Sequence, residues 1–140
     1  MHTAAVVCPL VLVAYLAVTE WVPMFPFNDL ESQTVRERLA LAAVNYPVFA
    51  AISIAVALDF GVVALVLAVL TMVGHIMSWW LPYFGFSFAA QREAYQREYA
   101  RTWKILPTEG RAVVIDVQHM VVGVLCLATL ISVSFATLGG

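Results

Sequence analysis

"LALAAVNYPVFAAISIAVALDFGVVALVLAVLTMVGHIMSWWLPY", residues 39–83, decides the architecture. A single charge, Asp59, interrupts an apolar stretch far longer than the roughly 20 residues a helix needs to cross a bilayer core. A tight turn at Asp59–Gly61 therefore divides it into two spans, expected over about 39–58 and 61–82. Two more runs without Lys, Arg, Asp or Glu, Met1–Thr19 and Val117–Gly140, supply a first span at about 4–21 and a fourth at about 112–138.

The chain as a whole agrees with this division. It is 63% hydrophobic and 11% charged, where a soluble domain carries about 25% charged residues, and its mean hydropathy is +0.91. "MHTAAVVCPLVLVAYLAVTEWVPMF" has no Lys or Arg before Arg36. It therefore lacks the positive n-region of a signal peptide and reads as a retained helix. The expected fold class is an all-α integral membrane protein, a single four-transmembrane-helix bundle over residues 1–140.

The charges are one-sided. All seven basic residues, Arg36, Arg38, Arg92, Arg97, Arg101, Lys104 and Arg111, belong to the first and third loops or their flanks. The positive-inside rule then makes the long loops cytoplasmic and places the N and C termini outside, in a multi-pass protein of the cell membrane. Basic residues beside a bilayer match anionic lipid, not nucleic acid. The expected partners are membrane lipid, a hydrophobic small-molecule ligand, and a homo-oligomer or larger membrane complex. Nucleic acid is excluded.

The cytoplasmic loops have patterns of their own. Asn28 with Glu31 resembles a capping box, so a helix should start there and run into span two, where Pro47 should kink it. Between spans three and four, Phe88, Tyr95, Tyr99, Trp103 and Leu106 recur at helical spacing beside Arg92, Arg97, Arg101 and Lys104. That pattern predicts an amphipathic interfacial helix over about 88–106, with Arg92, Tyr95, Tyr99, Trp103 and Lys104 at the membrane interface.

The spans carry a polar layer at one depth. At helical rise, His75 lies about 10 Å inside Pro82, Asn45 about 9 Å inside Leu39 and Tyr15 about 9 Å inside Trp21. Counted from Ala112, Asp116 lies about 6 Å and His119 about 10 Å inside. Ionisable groups at such depth usually face a bundle interior or wet cavity and mark function. The candidate catalytic residues are His75, Asp116 and His119, with Asp116 and His119 as an acid–base pair. Candidate substrate-binding residues are Tyr15, Glu20 and Asn45, with Trp79, Trp80 and Tyr83 at the rim together with Trp21.

Plainer readings exist for each. The tryptophans and Tyr83 suit a headgroup belt, Asp116 suits the first turn of a helix, and a histidine between helices serves as interhelical glue. Asn45 beside Pro47 would satisfy freed backbone. Cys8 and Cys126 stand alone without CxxC or Cys/His spacing, and no tight motif joins the histidines to Asp116, so neither a metal nor a cofactor is expected. GxGxxG, P-loop, HExxH and GxSxG motifs are all absent from the sequence.

"VRERLALAAVNYPVF", residues 35–49, is similar over about ten residues to the membrane-associated proteins of eicosanoid and glutathione metabolism, four-helix chains with cytosolic active sites. Arg36, Arg38 and Asn45 carry the likeness. The Glu that follows the Asn in that family is missing, since Tyr46, Pro47 and Val48 stand there, and the long third loop is foreign to it. Membership does not follow.

The leading expectation is a small membrane-embedded enzyme or binder of a lipidic or isoprenoid-like molecule, entered from the cytoplasmic leaflet. An Asp–His pair beside aromatic rings suits an isomerase or cyclase. The alternatives are a non-catalytic accessory subunit docking through loop three and a small proton-coupled transporter.

Overall fold

The computed structural model describes residues 2–139. It is all-helical, with five helices: α1 His2–Trp21, α2 Val35–Ala57, α3 Gly61–Tyr83, α4 Ala89–Glu98 and α5 Val117–Leu138. A short 3-10 turn, Leu30–Ser32, lies between α1 and α2. Four of the helices, α1, α2, α3 and α5, are long and apolar enough to cross a membrane.

These four form a ring in which α1 packs on α2 and α5, and α3 packs closely on α5 and more sparsely on α2. Lipid tails are as apolar as Leu, so helix association in a bilayer rests on close packing and small residues. Ala5, Ala55, Ala64 and Ala68 sit at the contacts, none more than 7% exposed. Large side chains such as Val62, Leu70 and Val124 point outward, at 60–71% exposure. The Ser53 hydroxyl ties α2 to α1 by donating to the Val6 carbonyl at 2.8 Å. At the far end the chain turns between α2 and α3 through Asp59, which takes a positive φ of 59°.

The two long connections interlock beneath the other end of the ring. Arg101 grips the buried Asp29 with two hydrogen bonds of 2.8 and 2.9 Å. The Trp103 N–H donates to the Pro26 carbonyl at 2.9 Å and the Ser32 hydroxyl to the Glu98 carbonyl at 3.2 Å. Tyr83, Tyr95, Val113, Val114 and Ile115 form a second small core here.

Three boundaries differ from expectation. The capping box lies at Thr34 and Glu37, not Asn28 and Glu31, so α2 begins at Val35. Asn28 is instead buried, its amide holding the Thr19 and Val22 carbonyls at 2.7 and 2.8 Å. Through Pro47, α2 runs unbroken. The loop helix ends at Glu98 because the Tyr99 carbonyl is taken by the Thr102 hydroxyl at 2.7 Å and by the Lys104 ammonium. Finally, α5 starts at Val117, since residues 111–116 form an extended strip whose Val113–Ile115 are apolar for the sake of the small core beneath the ring.

Candidate functional site

Asp116 is the N-cap of α5, fully buried, and its carboxylate accepts from the His119 backbone N–H at 2.8 Å. The same oxygen accepts from the His119 ring at Nδ1, 2.7 Å away, while the other oxygen takes the Thr102 hydroxyl at 2.8 Å. Burial pushes the Asp116 carboxyl up, but the neighbouring His119 charge and these hydrogen bonds outweigh it and hold the pKa below the ordinary carboxyl value. Asp116 is therefore an acceptor, His119 carries a proton on Nδ1, and Nε2 is the nitrogen turned away from Asp116.

The ring of His119 is clamped as well as hydrogen-bonded. Trp79 stacks on it at 3.8 Å between centroids and 27° between planes, and Tyr99 meets it edge-on at 5.0 Å. A π-helical turn, Ile76–Trp80, makes this stacking available. Pro82 has no N–H to give the Ser78 carbonyl, and the Leu81 N–H reaches back to Ile76, which frees the Met77 carbonyl too. The Gln91 amide fills both gaps, at 3.4 and 3.2 Å. Single π-turns of this kind re-aim side chains and recur at functional sites.

A cavity of about 570 Å³ lies in the centre of the ring above the interlocked loops. Of the candidate residues, Glu20, Asn45, His75, Trp79, Tyr99 and His119 line it. Asp116 stands behind His119. His75 is 7% exposed, and its Nε2 is buried without a hydrogen-bond partner against Gly123 of α5. Glu20 accepts the Tyr46 hydroxyl at 2.7 Å, and Tyr46 in turn accepts the Trp21 indole N–H at 3.3 Å.

The remaining candidates lie elsewhere. Tyr15 spans from α1 to α5, its hydroxyl donating to the Gln118 carbonyl at 3.0 Å. Trp80 and Tyr83 pack with Phe84 in the lower cluster, where Arg111 covers the Tyr83 ring at 3.9 Å. Tyr95 is buried, Tyr99 is half-buried at the loop side of the cavity, and Trp103 is exposed. Arg92 bonds back to Ser87, and the Lys104 ammonium is held by Tyr99 and Thr102. Among the described residues, no three His, Cys, Asp or Glu side chains converge as a metal-ligating group.

The mouth is not where the sequence suggested. Buried Asn28 and Asp29, with half-buried Leu30, Gln33 and Tyr99, close the loop side. Every exposed lining residue, Leu41, Val44, Leu70, Gly74 and Ser78, lies on α2 or α3. The cavity thus opens sideways along the sparsest seam of the ring. Sequence reasoning missed Asn28, Gln33 and Cys126 in the lining and Thr102 behind Asp116; only the loops' return beneath the bundle brings the first two and Thr102 there.

Comparison of the chain with protein-family models, with characterised proteins and with solved structures returns no match, so the site's geometry alone bears on function.

Proposed function

We propose that the protein is a small enzyme or binder of the cell membrane, loops cytoplasmic and termini outside. It admits a lipidic molecule sideways from the cytoplasmic leaflet and presents it to the Asp116–His119 pair. One observation carries this reading: the cavity's exposed lining is confined to the α2–α3 seam, while the Asp116-held imidazole lies in its interior wall. A tail passing between Leu41, Val44 and Leu70 stays in apolar surroundings throughout. The head reaches His119, Glu20 and His75. The clustering of Arg36, Arg38, Arg92, Arg97, Arg101, Lys104 and Arg111 at the loop end supports the orientation.

The chemistry that suits the pair is proton transfer. With Nδ1 bonded to Asp116, Nε2 takes a proton from the bound molecule, and the carboxylate stabilises the imidazolium that results. The stacked Trp79 face favours the same cation.

The test has two parts. Native mass spectrometry of protein extracted in mild detergent should show one retained lipid-sized adduct. Gly74→Phe should lose it, because Gly74 lines the cavity at the seam and a Cβ there meets nothing within 4 Å, which leaves room for a bulky side chain to obstruct it. Incubation with membrane lipid extract should then consume one component with wild type and not with a folded His119→Gln variant. Equal adducts in wild type and Gly74→Phe would remove the lateral entry; equal turnover in wild type and His119→Gln would remove the acid–base pair.

A further inference from the structure

The charges around the cavity are unevenly signed. Its carboxylates and imidazoles are Glu20, Asp29, His75 and His119, and neither Lys nor Arg is part of the wall. Asp29 is already matched by its paired bonds from Arg101. Glu20 is not: Tyr46 occupies one carboxylate oxygen, and the other has no partner among the described residues. The nearest guanidinium, Arg38, donates to the Glu20 backbone carbonyl at 3.2 Å and lies over the Trp21 ring at 5.2 Å, outside the cavity wall.

The wall's neutral amides, such as Asn45 and Gln118, offer donors as well as acceptors, but its one unmatched formal charge is acidic. In the neutral ring, His119 Nε2 presents a lone pair because the Nδ1 proton is held by Asp116. Glu20 presents a carboxylate oxygen. A phosphate or carboxylate head drawn into this wall would lose its hydration with no cation to meet it, and burying an unpaired charge is costly. An ammonium head would meet the opposite charge, an imidazole acceptor and the rings of Trp79 and Tyr99 that share the wall.

We infer, resting on the reading of the cavity as a lipid site, that its ligand is a lipophilic primary amine, a long apolar chain ending in a protonated nitrogen seated between Glu20 and His119. The amine also gives the site something to act on, since His119 Nε2 stands where it can take one of the nitrogen's protons.

The test uses full-length protein in lipid nanodiscs and a fluorescent-tailed long-chain alcohol as reporter. The reporter should bind saturably, and hexadecylamine should displace it at roughly tenfold lower membrane fraction than hexadecanoic acid or hexadecyl phosphate. Glu20→Gln, which keeps the shape and an acceptor for Tyr46, should erase the amine's advantage over the two anions. Displacement by the two anions at or below the amine's concentration would overturn the proposal in wild type alone, without any variant. An amine preference that survives in Glu20→Gln would overturn the assigned partner. Failure of the uncharged reporter to bind saturably would instead defeat the cavity reading on which the proposal rests.

Discussion

At Asp116 one buried carboxylate caps α5, holds the ring of His119 and receives the Thr102 hydroxyl. Because its folded pKa lies below the ordinary value of 3.8, its contribution to stability is complete above the unfolded pKa and is lost as pH falls through the folded one. Melting curves of detergent-solubilised protein should therefore be insensitive to this group from about pH 7 to about pH 5 and fall off in stronger acid. Asp116→Asn, which retains a good cap, should show a shallower acid limb; superimposable limbs would contradict the role given to the carboxylate. Further along the same helix, a Cβ at Gly123 would stand 2.6 Å from Nε2 of His75 on α3. Gly123→Ala should consequently destabilise the bundle by about 1–3 kcal/mol, the usual cost of overpacking, and unfolding in increasing denaturant should reveal it. An unchanged midpoint would mean that His75 is not wedged between α3 and α5.

At the scale of elements, what the sequence makes legible follows physical range. The spans are visible because a bilayer imposes length and apolarity on contiguous residues, and four long apolar helices are found. The pairing of Asp116 with His119 is a local, i,i+3 relation, and it too can be read along the chain. Asn28 misleads because an Asn with Glu three residues on fits a cap, while its actual partners, the Thr19 and Val22 carbonyls, belong to the end of α1. The apolar Val113–Ile115 read as helix because hydropathy cannot tell lipid from a small protein core. The π-turn before Pro82 depends on Gln91, which satisfies freed carbonyls from across a loop. The floor of the cavity is equally non-local, since it needs Asp29 and Arg101 to meet. Arg101→Ala leaves the buried Asp29 carboxylate without its partner, so limited proteolysis should cut the segment between α4 and α5 several-fold faster while the spans stay protected. Cleavage at the wild-type rate would show that the two loops hold together without this ion pair.

For the molecule as a whole, the polar layer has a purpose only if it is enclosed and reachable. The ring encloses the cavity through α1 and α5, the interlocked loops lie across its end, and the exposed lining falls on the α2–α3 seam, where the proposal has the ligand enter. The half beyond Cys126 is packed by small residues such as Ala5, Ala55 and Ala64, and its buried polar groups among the described residues are the hydroxyls of Ser53, Thr129 and Ser132. That arrangement suits a molecule that enters and leaves by the same lateral door, and it disfavours a proton-coupled transporter, which needs access from both sides. The most direct measurement is an experimental density map of the protein purified with its native lipid. The proposal predicts elongated density that enters between Val44 and Leu70 and ends within hydrogen-bonding distance of His119. A centre filled by Trp79 or closed by contact of α2 with α3, with no density inside, would contradict it.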